Sequence, residues 1–351
     1  MKALEIKNSL GKTGLKIPPV IFGTSALGNL YVALDDTVKT NIIKECIKHV
    51  EKPVVFDSAG KYGAGLALEK LGKILNNLKV LPENILISNK LGWIRKPLTS
   101  KEPTFEPGVW KEINYDAYQE ISYEGILKCF EQGNKLLGSY RPDLISVHDP
   151  DEYINQSNDE SKRKILYRDI LDAYKALIDL KKQGKIRAVG VGAKNWKIIE
   201  KISNDVELDW VMFANSMTIM RHPPELIEFM EKLYKEGVGI INSAVFHAGF
   251  LTGGDYFDYK LIKPDSDKNK EKFIWREKFF RLCKSFQILP SNACVAFALT
   301  PPGVISISLN TSNPERVKMN VESVISDIPK EFWNALKKEK LISWDYSYVG
   351  I

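Results

Sequence analysis

Residues 54–63 read Val54-Val55-Phe56-Asp57-Ser58-Ala59-Gly60-Lys61-Tyr62-Gly63, an apolar run that changes abruptly into polar and titratable residues. Seven further short apolar runs, most of them rich in valine and isoleucine, lie at 19–23, 85–88, 144–147, 187–191, 210–213, 238–241 and 304–307. A strand that is apolar along nearly its whole length is buried on both faces, as in a parallel sheet covered by helices. The sequence therefore predicts eight parallel strands.

The longer segments between these runs carry the periodicity of amphipathic helices. In residues 35–50 the apolar positions recur about every 3.6 residues, and aspartates stand at the start, where a helix favours acids. Residues 170–184 carry a similar stripe and end in lysines and a glycine, typical of a helix C-terminus. Strands alternating with helices indicate an α/β fold, and eight such units predict a (β/α)8 TIM barrel. The alternative is a doubly wound open sheet, but its glycine fingerprint is incomplete, because Ser25 stands where the middle glycine belongs.

The chain has 351 residues, and a plain barrel of this kind needs about 250. We assign residues 1–351 to a single barrel domain. The excess length falls in two insertions, at about 92–116 after the third strand and 246–274 after the seventh, and in a tail at 328–351. Loops that follow barrel strands lie on the C-terminal face, so we expect long loops there. The aromatic side chains of these segments either line a substrate pocket or pack the loops down, and they include Trp93, Trp110, Trp333, Trp344, Tyr346 and Tyr348.

The composition excludes several classes of protein. With 50 Lys+Arg against 44 Asp+Glu, the formal net charge is +6, and 44% of the residues are hydrophobic, too many for a disordered chain. No apolar run approaches the length of about 18 residues that a membrane helix needs, and the lysines are scattered among acids, so we expect neither a membrane nor a nucleic-acid partner. The four cysteines form no CxxC pair and no two histidines have metal-site spacing, so we expect reduced cysteines and no metal. Residues 1–14 lack the apolar core of a signal peptide, which favours a cytoplasmic location.

Titratable side chains follow three neighbouring strands of the predicted barrel. Asp57 and Tyr62 follow the second strand, Lys90 the third and His148 the fourth, so all four lie on one rim. A free tyrosine titrates at about pH 10; a lysine beside it favours the phenolate, and an aspartate holds that lysine charged. Such a site exchanges a proton with a carbonyl or alcohol oxygen that the histidine orients, while a nicotinamide cofactor carries the hydride. The alternative chemistry is a Schiff-base lyase with Lys90 as nucleophile.

In these residues the sequence resembles the aldo-keto reductases. Residues 10–17 and 22–24 are similar to the family's opening, in which a hairpin caps the barrel bottom before the first strand. Residues 57–63 and 65–72 match its second signature, and Lys90 and His148 complete the family's set of four active-site residues. The resemblance covers essentially the whole chain. The roles that it implies are general acid/base for Tyr62, tuning of that phenol for Asp57 and Lys90, and substrate orientation for His148.

Three further segments resemble the branch that contains NAD-linked aldose dehydrogenases and pyridoxal 4-dehydrogenases; they are residues 25–31, 123–127 and 190–196. This resemblance implies a monomer or weak homodimer that oxidises the hemiacetal of a sugar such as L-fucose, D-arabinose or galactose to its lactone. Three alternatives stay open. They are an NADPH-dependent carbonyl or aldehyde reductase, a pyridoxal dehydrogenase, and a cofactor-sensing regulatory subunit, which the complete set of four residues argues against.

The resemblance also implies cofactor and substrate contacts. The cofactor-binding candidates are Gly23, Thr24, Gly192, Asn195, Asn215, Ser243, Val245, Gly249, Asn310, Ser312, Arg316 and Asn320. The substrate-binding candidates are Leu30, Tyr31, Trp93, Trp110 and His148. Asn242 stands where the family commonly stacks a tyrosine on the nicotinamide, and His247 is a further candidate contact. NAD is favoured over NADP because positions 310 and 312 are not basic, although Arg316 either meets the adenosine end of the cofactor or forms a surface ion pair.

Overall fold

Eight parallel strands close into a barrel in the computed structural model, which describes residues 3–264 and 267–350. The strands follow one another around the barrel in chain order, and the eighth pairs with the first. Their bounds are β1 Val20–Gly23, β2 Val54–Ala59, β3 Ile85–Leu91, β4 Leu144–His148, β5 Ala188–Ala193, β6 Trp210–Ala214, β7 Gly239–Ser243 and β8 Val304–Leu309. The predicted (β/α)8 barrel is confirmed, and the open-sheet alternative was wrong because the sheet closes on itself.

Helices surround the barrel and cover the outer faces of its strands. The α-helices of the described residues are α1 Asp36–His49, α2 Leu66–Asn77, α3 Tyr123–Leu137, α4 Pro150–Ile154, α5 Glu160–Lys182, α6 Trp196–Asp205, α7 Pro224–Glu236, α8 Asp267–Ser285, α9 Pro290–Leu299, α10 Glu315–Ser323 and α11 Lys330–Lys338. The two helices predicted from periodicity are α1 and α5, and their apolar stripes are buried against the strands. Across the described residues no individual helix has both the length and the apolar character to cross a membrane; α8 and α9 meet that test only as a pair, bent by 101°.

The bottom of the barrel is closed by an N-terminal hairpin in which Asn8–Ser9 pairs with Lys16–Ile17. Leu10 has no exposed surface and packs, with other apolar side chains of the hairpin, against residues inside the barrel that include Trp210. A β-carbon at Gly190 would lie 2.2 Å from the Trp210 ring, so glycine there makes room for the indole. The hairpin implied by the resemblance is confirmed, and its packing leaves the opposite rim as the open end.

Both predicted insertions contain hairpins on the open rim. In the first, Trp93–Pro97 pairs antiparallel with Tyr115–Gln119, and the aromatic side chains between these strands form a small apolar cluster of their own. In the second, Tyr256–Phe257 pairs with Lys260–Leu261. Residues 265–266 of the second insertion lie outside the described residues, and α8 begins at Asp267, inside the predicted range of 246–274.

The tail packs against the outer helices, and its Ser343 amide donates a 3.0 Å hydrogen bond to His222 in the loop after β6. The Tyr346 hydroxyl lies 2.6 Å from Thr300 Oγ1, and its ring stacks on Phe297 of α9 at 4.6 Å between centroids. The Tyr348 hydroxyl donates a 2.6 Å hydrogen bond to Glu231 on α7. Trp333, Tyr346 and Tyr348 thus follow the packing interpretation, whereas Trp344 is 72% exposed; residue 351 lies outside the described residues.

Candidate active site

A buried ion pair anchors the site inside the rim. Lys90 Nζ lies 2.5 Å from Asp57 Oδ2 and donates a second hydrogen bond, of 3.2 Å, to the Ser58 carbonyl. The other oxygen of Asp57 accepts a 2.9 Å hydrogen bond from the Ser88 hydroxyl. Both charged side chains are almost fully buried. Lys90 is therefore held in one position by its ion pair and its carbonyl contact, which does not suit the freely accessible amine that a Schiff-base mechanism requires.

The other two predicted residues meet this pair. Tyr62 follows β2 by three residues, and Lys90 Nζ lies 5.0 Å from the centre of its ring. The rings of Tyr62 and His148 pack edge to face, with centroids 5.6 Å apart, and the Trp110 ring lies 5.9 Å from that of Tyr62. The structure thus brings together all four residues that the sequence predicted: Asp57, Tyr62, Lys90 and His148.

Two glycines set the backbone that carries Tyr62. Gly63 has φ +60°, and a β-carbon on it would lie 2.3 Å from the Gly28 carbonyl oxygen. A β-carbon on Gly28 would lie 2.8 Å from the carbonyl carbon of Tyr62. The loop after β1 therefore rests directly on the backbone beside the phenol, and only glycine at both positions permits that contact.

The electrostatics of the phenol differ from the prediction. Burial raises the pKa of Tyr62 well above its ordinary value, and the charges of Asp57 and Asp149 raise it further, whereas Lys194 lowers it. The expectation that a lysine lowers the pKa of the phenol was wrong for the net shift, because the effect of burial outweighs that of the nearby cations. Tyr62 is thus protonated at neutral pH.

His148 is held neutral. Burial lowers its pKa well below the ordinary value, and the charges of Lys61 and Lys90 lower it further. Its Nδ1 is buried without a hydrogen-bond partner among the described residues, and Nε2 lies 3.6 Å from Asp149 Oδ2. A neutral imidazole beside a phenol can hydrogen-bond an uncharged substrate oxygen without adding a positive charge to the site.

Five charged side chains that the sequence analysis did not single out border the four predicted residues; this rim cluster comprises Lys61, Glu106, Asp149, Glu152 and Lys194. Lys61, which is 4% exposed, pairs with Glu106 at 2.7 Å and Glu152 at 3.1 Å. Lys194 pairs with Glu152 as well, and lies 3.6 Å from Asp149. Three carboxylates against two ammonium groups leave an excess of one negative charge. The sequence held one signal for this cluster: Lys61 directly precedes Tyr62, and Asp149 directly follows His148.

The predicted substrate contacts lie beside Tyr62 at the open rim. Leu30 and Trp110 form an isolated antiparallel bridge, and the Tyr31 amide donates a 2.9 Å hydrogen bond to the Val109 carbonyl. These bonds join the loop after β1 to the first insertion. The Trp110 indole N–H donates to Glu106 of the rim cluster at 2.7 Å, and the Trp93 ring lies 5.1 Å from Lys61 Nζ. Leu30, Trp93 and Trp110 pack with Tyr62 in one apolar cluster, and Tyr31 is bonded to the same segment, so all four predicted contacts lie near this opening of the barrel.

Several cofactor candidates lie at the ends of the strands that face this opening. Asn215 directly follows β6 with φ +59°, and its side-chain oxygen is buried without a partner among the described residues. An unsatisfied acceptor of this kind fits an amide donor such as the carboxamide of a nicotinamide. Gly192 is near the end of β5, Ser243 ends β7 and Gly23 ends β1, so these candidates also lie at the rim.

Other candidates are occupied within the protein. The Asn195 side chain caps α6 by accepting the Lys197 N–H at 3.1 Å, and the Thr24 hydroxyl donates to the Asp57 carbonyl at 3.1 Å. The Val245 side chain has no exposed surface and packs in the apolar core, so only its backbone remains a candidate cofactor contact. Asn242 donates a 2.6 Å hydrogen bond to the Ala298 carbonyl of α9 and is likewise fully buried, so it cannot replace the stacking tyrosine.

The segment after β8 is open to a ligand. Asn310 donates a 2.8 Å hydrogen bond to the Ser25 hydroxyl, which links the loops after β8 and β1. Ser312 and Arg316 are exposed, and Asn320 lies half-buried on α10. Arg316 forms no ion pair with any residue that the structure describes, so the surface ion-pair interpretation was wrong. Gly249, by contrast, follows β7 with φ +96° and begins the short helical turn Phe250–Thr252.

Metal and thiol chemistry have no visible support in residues 3–264 and 267–350. No group of three or more His, Cys, Asp or Glu side chains there is placed to hold a metal ion. The four cysteines are buried and unpaired, and burial raises the pKa of the Cys129 thiol to about 12. The candidate site therefore consists of the four predicted residues, the rim cluster and the bordering aromatic side chains.

A closed (β/α)8 barrel that places Asp, Tyr, Lys and His together at the C-terminal rim defines a nicotinamide-dependent oxidoreductase of the barrel type. The chain belongs to the Aldo/keto reductase family, which its sequence matches over residues 19–340. It is an NAD(P)-dependent oxidoreductase that acts on small-molecule sugar or aldehyde substrates.

Named relatives cover almost the entire chain. Pyridoxal 4-dehydrogenase from Microbacterium luteolum is 28% identical over 360 residues, 98% of this chain and 99% of that protein. D-threo-aldose 1-dehydrogenase from a Pseudomonas species is 23% identical, over 94% of this chain and 96% of that protein. Among solved structures, the holo form of an aldo-keto reductase from Bacillus halodurans superposes with a TM-score of 0.68 at 19% identity, covering 96% of both chains. The structural likeness supports the fold.

Proposed function

We propose that this protein is an NAD-linked dehydrogenase that oxidises a neutral aldose, such as L-fucose, D-arabinose or galactose, at its anomeric carbon to give the lactone. The observation that carries the substrate class is the rim cluster beside Tyr62 and His148. Its two lysines are already paired with three carboxylates, so it offers hydrogen-bonding oxygens and no free cation for an anionic substrate. An uncharged polyhydroxylated molecule can donate hydrogen bonds to the oxygens of the rim cluster.

The four residues divide the work of that reaction. The anomeric C1–H bond breaks with its electron pair, the hydroxyl proton passes to the Tyr62 oxygen, and the lactone carbonyl forms at C1. A bound nicotinamide supplies the hydride acceptor. His148 donates a hydrogen bond to the sugar oxygen and orients C1, while Asp57 keeps Lys90 charged beside the phenol. The half-buried indole of Trp93 offers apolar surface to the ring face of the sugar, and the buried Trp110 supports Tyr62 from behind.

The preference for NAD rests on the segment after β8. A basic residue at position 310 or 312 would recognise the 2′-phosphate of NADP, but Asn310 and Ser312 stand there. Arg316 is exposed and unpaired among the described residues, which leaves its planar guanidinium available to stack on adenine. The cofactor contacts Gly23, Gly192, Asn215, Ser243, Gly249 and Asn320 belong to the same proposal.

Two other functions have a specific observation in their favour. The raised pKa of Tyr62 keeps the phenol protonated, which suits the reduction of a carbonyl with NADPH, since a reductase needs an acid. Pyridoxal oxidation is favoured by the pyridoxal 4-dehydrogenase relative, which aligns over 98% of this chain. Both use the same four residues, so the choice depends on substrate and cofactor measurements.

The test is a panel of aldoses, pyridoxal and simple aldehydes, each with NAD and NADP, followed at the absorbance of the reduced nicotinamide. We expect turnover of an aldose with NAD and a lower Kd for NADH than for NADPH. Tighter binding of NADPH would overturn the cofactor preference. If the protein oxidised no aldose with either cofactor and instead turned over only pyridoxal, or only reduced carbonyl compounds, that substrate would replace the proposed class.

The direction of the Tyr62 shift predicts the pH dependence of the rates. Oxidation requires the phenolate as the base; because the pKa is raised, its population grows with pH throughout the alkaline range, and kcat for oxidation should still increase beyond about pH 9. Reduction requires the phenol and should be constant across neutral pH. No inflection is expected at about pH 6.5, because His148 stays neutral there. An oxidative kcat that reaches a plateau near pH 7 would contradict the raised pKa.

A further inference from the structure

The second insertion carries a tight hairpin whose tip has an unusual composition. Tyr256–Phe257 and Lys260–Leu261 pair across a two-residue turn formed by Asp258 and Tyr259, with φ +47° and +68°. Such turns normally use glycine or asparagine, because a bulky side chain in the left-handed region costs conformational energy. A tyrosine at this point indicates that its side chain makes a contact that glycine could not make.

A hydrogen-bonded network centred on the buried His247 fixes the base of this tip. Asp258 lies 2.6 Å from His247 Nδ1 through one oxygen and 3.2 Å from Arg221 Nη2 through the other. His247 has no exposed surface; its Nε2 lies 2.8 Å from the Thr218 hydroxyl and its ring stacks on Phe257 at 4.6 Å. His247, which the sequence analysis considered as a ligand contact, is thus occupied within the protein. Through these bonds the loops after β6 and β7 determine where the tip lies.

The tip places Tyr259 beside the candidate site. Its ring centre lies 5.4 Å from Lys194 Nζ, a member of the rim cluster. Tyr62, Asp149 and Tyr31 are the other titratable groups within electrostatic range of its phenol. The residue is 41% exposed, so Tyr259 is not packed away in the core and keeps surface that a ligand could contact.

Tyr234 on α7 provides a contrast. It is 63% exposed, and a β-carbon on Gly303, which directly precedes β8 at the end of the barrel opposite the rim, would lie 2.9 Å from its β-carbon. Tyr234 and Tyr259 therefore have the same chemistry and differ in whether they border the rim cluster. Tyr256 on the hairpin does not serve this comparison, because its ring stacks on Tyr31 with centroids 5.1 Å apart.

We propose that Tyr259 is a specificity-determining residue, whose phenol closes the outer side of the pocket and contacts the hydroxylated chain of the sugar beyond its reacting carbon. Asp258, held by His247 and Arg221, is a positioning residue that acts through Tyr259. This inference rests on the proposed function, because it takes the substrate to be a sugar whose carbons extend outward from C1.

The experiment compares a hexose with a tetrose. Both are oxidised as cyclic hemiacetals, and they differ in the carbons remote from C1. Tyr259→Ala should lower kcat/KM for the hexose by about tenfold, the loss of one or two hydrogen bonds and a ring contact, mainly through KM. The tetrose should change less than about threefold. Tyr259→Phe separates the hydroxyl from the ring and keeps the packing, and Tyr234→Ala, the control, should leave both substrates within about threefold.

The positioning role has its own readout. Asp258→Asn should raise KM for the hexose with little change in kcat, and the double variant Asp258→Asn/Tyr259→Ala should lose no more than Tyr259→Ala alone, because the two residues act as one unit. Equal losses for hexose and tetrose, or an equal effect of Tyr234→Ala, would overturn the proposal. If the wild-type protein oxidises no aldose, the proposed function fails separately, and the same comparison is then made between pyridoxal and benzaldehyde.

Discussion

Tyr62→Phe lowers kcat by about 10³-fold in both reaction directions, within the range of about 10²–10⁴-fold for removing a general acid/base. The substitution removes the hydroxyl alone, since phenylalanine preserves the ring contacts with Trp110, His148 and Lys90. Steady-state kinetics at saturating substrate measures the loss, and fluorescence titration with NADH, which we expect to be unchanged, separates it from a defect in cofactor binding. The pH dependence of any remaining oxidation should also disappear.

Tyr140→Phe is the matched control for this experiment. Its phenol donates a 2.7 Å hydrogen bond to the Val80 carbonyl, and both residues precede barrel strands, at the end of the barrel opposite the rim, so the variant loses a hydroxyl with no predicted role. It should retain kcat within about twofold, with only the small stability change of one hydrogen bond. If Tyr62→Phe kept more than a tenth of the wild-type rate, a different group would have to exchange the proton, and the proposed division of roles would be wrong.

The barrel could be predicted from the sequence because its signal is repeated. Each buried strand appears as a short apolar run, and an error in one run would still leave seven others. The four residues Asp57, Tyr62, Lys90 and His148 could be grouped for a related reason, since the ends of parallel barrel strands converge on one rim whatever the loops do. Neither inference required the position of a single loop.

The features that were missed depend on distances that no local pattern encodes. Lys61 and Glu106 are 45 positions apart, and their 2.7 Å contact exists because the first insertion folds back over the segment after β2. The net pKa shift of Tyr62 was mispredicted for the same reason, because burial and four charges of both signs contribute to it at once. Tyr259 could not be placed from periodicity, since its position is set by the His247–Asp258 pair, 11 residues apart in an irregular segment.

Asn242 illustrates a second limit of prediction from the sequence. Comparison with the family places a residue of β7 at the nicotinamide, but side chains of a strand alternate between the barrel interior and the helix layer. The Asn242 side chain faces α9 and bonds to the Ala298 carbonyl, whereas Ser243 bonds to the Phe213 carbonyl of the neighbouring strand end. A shift of one position along a strand reverses the side on which a side chain lies, and the sequence alone could not settle that register.

Lys90→Met should destabilise the protein strongly as well as inactivate it. Methionine matches the length of lysine without its charge, so Asp57 remains buried, 3% exposed, with Ser88 as its one side-chain partner. Removing one member of a buried ion pair costs about 3–5 kcal/mol, because the remaining charge stays away from water. Urea unfolding followed by circular dichroism measures this loss. Lys70→Met, the control, removes a lysine from the more exposed pair with Asp36 and should cost no more than about 1 kcal/mol.

The double variant Asp57→Asn/Lys90→Met separates stability from chemistry. With both charges removed, the desolvation penalty of the unpaired carboxylate disappears, so we expect the free energy of unfolding to recover by about 2–4 kcal/mol relative to Lys90→Met. Turnover should not recover, because no ammonium then lies beside the phenol and the Tyr62 oxygen has lost the cation that favours its charged form. A double variant that regained activity together with stability would mean that Lys90 serves only to compensate Asp57, and that the proton transfer at Tyr62 does not depend on the ion pair.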